Sequence, residues 1–224
     1  KSKAGLEAAR RLAATCDVFV ESFRPGVIQR LGLDYETLAK ARPDLVYLSV
    51  SGFGSAGPLA ALPAMDPIIQ AYSGWYDVNR GADGVPTQMD HVPIDVLTGL
   101  YAYQAAVAAL LRRFRFGEGA QLEVSLVHAA AAFLAPRLHD HILAGGTPKR
   151  DVGIPWGPYP AKEGLITLAV RGDPEFRQLC EAIDAADLCD DERFATRKAR
   201  GANAALLRDR LVAIFATADA AAWE

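Results

Sequence analysis

DLVYLSVSGFG, residues 44–54, is a nearly unbroken run of β-prone residues that stops at glycine and serine. A strand with apolar residues on both sides must be covered on both faces, which is the condition of a parallel sheet. Just upstream, CDVFVESF (16–23) reads as a second, shorter strand. RPGVIQRLGLDYETLAKARP (24–43) lies between them and reads as a turn plus one or two short helices, broken at Pro25 and Gly32. GLEAARRLAATC (5–16) carries Leu6, Ala9, Leu12 and Ala13 at helical spacing. Helix, strand, helix, strand predicts an α/β fold on a parallel sheet.

Downstream of the opening run the texture changes. SGFGSAGPLAALPAMDP (51–67) is rich in Gly, Pro and Ser and follows the C-terminal end of a strand, the edge where open α/β sheets bind ligands. Gly52, Gly54 and Gly57 have G-x-G-x-x-G spacing, but Pro58 and the weak helix after it fit a dinucleotide fingerprint poorly. The spacing is read as chance, with the glycines allowing close backbone approach to some ligand. PIIQAYSGW (67–75) predicts a short helix, DVNRGADGVPTQ (77–88) a loop, and DVLTGLYAYQAAVAALLRRFR (95–115) the longest and most apolar helix. GEGAQ (117–121) is a turn, and LEVSLVHAAAAFLAPRL (122–138) a strand running into an Ala-rich helix. AGGTPKRDVGIPWGPYP (144–160) has loop composition. Beyond it, LITLAV (165–170) is a strand, Asp173 and Pro174 read as the N-cap and first residue of a helix, and NAALLRDRLVAIFATA (203–218) is amphipathic. The expected layout is a large domain over 1–145, a linker over 146–160 and a small domain over 161–224.

Composition excludes several classes of function. The 224 residues are 51% hydrophobic and 23% charged, with a formal net charge of −3. That balance leaves no basic footprint for nucleic acid, and RRFR (112–115) and RKAR (197–200) read as solvated helix faces. No run is read as apolar and charge-free enough to span a bilayer. Cys16, Cys180 and Cys189 are odd in number and scattered, so a reducing compartment, the cytoplasm, is expected. His139 and His141 flank Asp140 two positions apart and cannot easily share a metal on a helix, so no metal site is expected.

Two carboxylates carry the chemical interest. Asp66 stands before Pro67 at a helix start, and Asp95 follows Pro93 before the longest helix. Both have an N-cap reading, worth about 0.5–2 kcal/mol. Val92, Ile94, Val96 and Leu97 predict that Asp95 is buried, and Thr98-Gly99 leaves room for a ligand beside it. A buried carboxylate at a helix N-terminus is expected to stay ionised, because the macrodipole opposes desolvation, and is then a candidate nucleophile.

In order, CDVFVESFRPGVIQRLGLDYETL, PDLVYLSVSGFGSAGP, PAMDPIIQAYSGW, IDVLTGLYAYQAAVAALLRR and FGEGAQLEVSLVHAA resemble the class III coenzyme A-transferase family. GPYPAKEGLITLAV and DERFATRKARGANAALL extend the likeness. That family includes formyl-CoA transferase, the carnitine and bile-acid CoA-transferases and the related α-methylacyl-CoA racemases. The resemblance implies part of a Rossmann-like parallel-sheet large domain followed by the beginning of a smaller α+β domain. It also implies interlocked homodimers. Family members are longer, and this chain resembles their middle, so N-terminal strands and a C-terminal return are expected to be missing.

By the same resemblance, Asp95 falls on the catalytic aspartate. Ser22, Phe23, Arg24 and Arg30 fall on positions that hold the CoA nucleotide, and Pro63, Ala64, Met65 and Asp66 on the segment at the pantetheine end. The substrates implied are an acyl-CoA and a carboxylic acid, with no tightly bound cofactor. Racemases carry a histidine where this chain has Met65, which cannot accept a proton, so transfer is favoured over racemisation. RDVGIPWGPYP (150–160) lacks the Gly-rich loop of the formyl-CoA transferases, which makes oxalate doubtful as acceptor. A racemase-like enzyme and a non-catalytic CoA-binding fragment are the alternatives.

Overall fold

The computed structural model describes residues 2–80, 84–146 and 154–223. The chain forms two compact units, Lys1–Pro148 and Lys149–Glu224. The first unit runs α1 (Lys3–Ala13), β1 (Val18–Glu21), α2 (Val27–Leu31), α3 (Tyr35–Ala39), β2 (Val46–Ser51), α4 (Asp66–Ser73), α5 (Trp75–Val78), α6 (Pro93–Phe116), β3 (Ala120–Ser125) and α7 (Leu126–Leu143). The second runs β4 (Trp156–Pro160), β5 (Leu165–Ala169), α8 (Asp173–Ala182), α9 (Ala186–Asp190), α10 (Arg197–Ala202), α11 (Ala204–Phe215) and α12 (Ala220–Trp223).

The opening run is the middle strand. β1, β2 and β3 form one parallel sheet in that order, with Val46 opposite both Val18 and Ala120, and Ser49 opposite both Glu21 and Glu123. Both faces of β2 are covered, as its composition requires. Tyr47 packs with Ala13, Ile28, Leu33 and Leu38 on one face, and Leu48 with Ala102 and Val124 on the other. The Tyr47 hydroxyl donates to the Leu33 carbonyl oxygen at 3.1 Å, so the one polar atom of that face is satisfied. The α/β class with a parallel sheet is therefore as expected.

The residues of α6 explain its length. Pro93 opens it, and Gly117 closes it in the left-handed conformation at φ 71°. Arg113 in the last turn pairs with Asp17 and Asp44, and Arg42 joins the same two carboxylates. Thr98, Ala102 and Ala109 are buried, whereas Val96, Leu100, Tyr103, Val107, Leu111 and Phe114 form an exposed apolar stripe along the same helix. The reading that no run could span a bilayer is corrected on this helix, which by length and composition is apolar enough to cross one. Its arginines sit at the end, so they do not interrupt the apolar stretch.

The second unit corrects two further expectations. The expected linker, 146–160, contains β4, which pairs antiparallel with β5 from Trp156↔Ala169 to Pro160↔Leu165. Gly157, Pro158 and Pro160 give the segment loop composition, but a two-stranded ribbon leaves a free edge where proline costs no ladder bond. Asp173 is the first residue of α8, not its N-cap, and its carboxylate instead accepts from Arg197 N and Arg200 Nη2.

Arg200 is fully buried in this unit. Its guanidinium donates to the carbonyl oxygens of Ile154 (2.8 Å) and Phe194 (2.9 Å) and lies 4.4 Å from the centroid of the Phe176 ring. Replacing it with Met keeps bulk but strands both carbonyls. Arg200→Met is expected to lower unfolding free energy by about 3 kcal/mol, read as a lower urea midpoint at unchanged slope.

Candidate active site

The C-terminal ends of the strands converge on one side of the first unit. There the chain turns out of β1 at Ser22–Gly26, out of β2 at Gly52–Met65 and out of β3 into α7. A cavity of about 1030 Å³ opens between these turns and the start of α6. Ser22, Phe23 and Arg24 line it from the first turn, and Pro63, Ala64, Met65 and Asp66 from the second. Asp95, Thr98 and Gly99 line it from α6. An adjoining hollow of about 640 Å³ shares Phe23, Arg24 and Pro25 and continues past Tyr35, Tyr47 and Glu123. Of the nine residues singled out in the sequence, Arg30 alone lies outside both linings. It sits on α2, where its Nη1 would be 3.2 Å from a Cβ placed on Gly26.

The turns are held by carboxylates. Glu21 accepts the N–H of Phe23 at 2.9 Å, which fixes the turn after β1. Glu123 accepts both the backbone N–H and the hydroxyl of Ser55, which ties the turn after β2 to the end of β3. Asp66 reaches furthest. It is the first residue of α4, but its carboxylate serves α6: Oδ2 accepts from Ile94 N at 2.7 Å and from Asp95 N at 2.9 Å. Its other oxygen accepts from the Gln70 side chain, whose own oxygen accepts from Met89 N at 3.2 Å. Asp66 is 2% exposed.

Neither carboxylate therefore has the expected local role. Asp66 caps the other helix, across 28 positions of sequence. Asp95 is the third residue of α6, whose N-cap is Val92. Asp95 is also exposed on the cavity wall, not buried, as are Val92 and Val96. Neighbours in sequence point away from each other on a helix, so flanking apolar residues do not report burial.

The expected protection of its charge is corrected as well. Desolvation by the concave wall, and then the negative charge of Asp66, raise the Asp95 pKa above the usual carboxylate value. The first-turn amides that would have opposed this are bound to Asp66. Met65, at 65% exposure, is the N-cap of α4 and lines the cavity, and among the described residues no histidine lines it. The doubt about oxalate rested on residues 150–160, of which 150–153 lie outside the described residues.

Glu21, Glu123 and Gln70 organise the site and were not singled out in the sequence. The available signal was a carboxylate placed at or near the end of an apolar strand, in VFVE and LEVS. The glycines also read differently. An ideal Cβ on Gly52 would lie 2.2 Å from the Cβ of Ala64, so the close approach there is between two segments of this chain. Gly54 and Gly57 have φ of 94° and 98°, the left-handed region that turns the chain.

An α/β unit with a parallel sheet, strand-end turns and a carboxylate-bearing cavity is the class of protein the geometry defines. The whole chain, residues 1–224, matches CoA-transferase family III, and it belongs to that family. It is 36% identical over 208 residues to succinate–glutarate CoA-transferase of Agrobacterium fabrum, covering 91% of this chain and 52% of that one. It is 37% identical over 214 residues to acetyl-CoA:oxalate CoA-transferase of Acetobacter aceti, covering 92% and 55%. A crystal structure of a CAIB/BAIF family protein from Brucella suis superposes with a TM-score of 0.85 at 33% identity, covering 96% and 58%. The chain thus spans about half the length of the relatives it matches.

The Gly52–Ala64 contact sets how closely the second turn folds back on β2. Gly52→Ala is expected to destabilise by about 1–3 kcal/mol through overpacking. In thermal unfolding, Gly52→Ala combined with Ala64→Gly is expected to recover most of that loss.

Proposed function

We propose that the protein is a CoA-transferase that moves CoA from an acyl-CoA to a free carboxylate, with Asp95 as the covalent nucleophile. The observation that carries the reading is a single accessible carboxylate on the wall of a large cavity whose other charged linings are Arg24 and Asp66. Family membership supports it, as do relatives named for transfer between succinate and glutarate and from acetyl-CoA to oxalate. Racemisation needs a second base to exchange the α-proton, and the position where the resemblance puts that base is Met65, a lining residue that cannot accept a proton.

The steps balance without a proton. The Asp95 carboxylate attacks the thioester carbonyl, the C–S bond breaks, and CoA thiolate leaves behind a mixed anhydride. The thiolate attacks the aspartyl carbonyl and expels the donor acid, giving an aspartyl-CoA thioester. The acceptor carboxylate attacks that carbonyl and releases the thiolate again. The thiolate then takes the acceptor acyl group and frees Asp95. One difficult exchange becomes several easier ones. Because an anhydride in water hydrolyses, the site must limit water at that stage.

In this reading Phe23 presents a face to the adenine ring. Arg24, and Arg30 from α2 behind it, supply positive charge for phosphates. Ser22 belongs with them at the nucleotide end, and Pro63, Ala64 and Met65 border the pantetheine arm. CoA enters as a substrate, and no tightly bound cofactor is assigned. We also assign a homodimer in the cytoplasm. The exposed apolar stripe of α6 supports the need for a covering neighbour, and the scattered cysteines support the compartment.

Asp95→Ala in the intact protein is expected to reduce transfer at least 10³-fold. Hydroxylamine added with acyl-CoA is expected to leave a hydroxamate on the peptide that contains Asp95, located by mass. Normal transfer by the variant would sink the assignment. The acid limb of the rate is expected above the ordinary aspartate range near about 3.9, because desolvation by the cavity wall and the charge of Asp66 both favour the protonated form.

A further inference from the structure

α6 begins at the edge of a cavity, where its first amides have few partners. A helix leaves the N–H groups of its first turn without intrahelical acceptors. Pro93 has no N–H to satisfy, and Val96 N reaches Val92 O at 3.2 Å. The two donors that remain are Ile94 N and Asp95 N, and both go to one oxygen of Asp66. One of them is the backbone amide of the proposed nucleophile itself.

We propose that Asp66 is a positioning residue for Asp95: by accepting the Ile94 and Asp95 amides from the start of α4, its buried carboxylate fixes the first turn of α6 and so the place at which Asp95 meets the substrate. The inference rests on the reading of Asp95 as nucleophile. It takes Asp66 away from direct contact with CoA. Both of its oxygens are engaged, and Gln70 holds the second while it is itself held by Met89 N. The chain of contacts therefore runs from the segment before α6, through Gln70 and Asp66, to the backbone of Asp95.

The arrangement has a second consequence. The side chain of Asp95 leaves the same turn that Asp66 grips, so two carboxylates share one end of the cavity. The charged groups lining that cavity are Arg24 from the turn after β1, Asp66 from α4 and Asp95 from α6. The charge of Asp66 disfavours ionisation of Asp95. Removing that charge while keeping an acceptor oxygen lowers the Asp95 pKa, so the acid limb of the rate moves to lower pH. Removing the acceptor as well frees the turn, and a displacement on the order of 1 Å at a nucleophile costs about 10²-fold in rate.

The test compares Asp66→Asn and Asp66→Ala with the unaltered intact protein, each first checked for folding by thermal unfolding. Transfer is measured across pH, with mass location of the hydroxamate in parallel. Asp66→Ala is expected to lower kcat about 100-fold with KM for acyl-CoA within about threefold, and to leave less hydroxamate on the Asp95 peptide. Asp66→Asn is expected to keep most of kcat and to move the acid limb down. The proposal is overturned if folded Asp66→Ala keeps its kcat. It is equally overturned if either variant changes only KM, which would make Asp66 a ligand contact, or if Asp66→Asn leaves the acid limb in place. If Asp66→Ala does not fold, the acid limb of Asp66→Asn decides alone. Failure of the nucleophile reading looks different: the unaltered protein would carry no hydroxamate on Asp95, and Asp95→Ala would remain active.

Discussion

A long apolar helix cannot start at a cavity wall unless something accepts its first N–H groups, and the Asp66 carboxylate meets that constraint here. Each such donor left buried without a partner costs about 1–3 kcal/mol. Pro93 removes one donor, Val92 O takes another, and Asp66 takes the two between. The start of α6 is thereby set to the residue. Because Leu48 and Val124 of the sheet pack around Ala102, that starting point also sets how far the cavity stands from the strand ends. The packing of α6 and the geometry of the site are two results of one capping interaction.

The same device recurs at the other turns. Glu21 holds Phe23 N, and Glu123 holds Ser55, so the turns after β1 and β2 are each tied by a carboxylate of the same unit. Hydrogen bonds to an ionised acceptor are about twice as strong as neutral ones, which suits turns made of Gly, Ser and Pro with little side chain to pack. There is an electrostatic consequence. Backbone N–H groups at strand ends are a common way to bind anions, and here several of them already hold acids. Positive charge in the cavity lining comes from Arg24 alone among the described residues. An anionic ligand placed there is oriented by one end.

The fold was legible because it depends on local pattern. β2 is apolar on both faces in the sequence and covered on both faces in the structure, and α6 shows its ends in Pro93 and Gly117. Most of the nine site residues were named through the family resemblance and not from local pattern; eight of the nine line the cavity, because the parallel sheet gathers the turns at its strand ends on one side. The roles within it were less legible. Asp66 and Asp173 each stand directly before a proline at a helix start, Asp95 stands two positions after one, and each reads as the cap of its own helix. The structure shows Asp66 capping α6 and Asp173 holding Arg200. Local sequence reports that a helix begins, but the partner of a carboxylate there is chosen by tertiary packing across 28 positions in one case and 27 in the other. β4 was hidden for the opposite reason: its glycine and prolines suit an exposed ribbon edge as well as a loop.

The effect of Asp66 on Asp95 bears on why a single carboxylate can serve an exchange between acids. On the assigned mechanism Asp95 must attack as a carboxylate and later leave as one, displaced by CoA thiolate from an anhydride. A group much more acidic than the substrate acids would leave well and attack poorly. One much less acidic would be protonated and attack not at all. Raising the Asp95 pKa through the cavity wall and a neighbouring aspartate shifts that balance, on the assigned mechanism, toward attack once the group is ionised. The charge of Asp66 that makes Asp95 harder to ionise thus also makes it, on that mechanism, the stronger nucleophile once ionised.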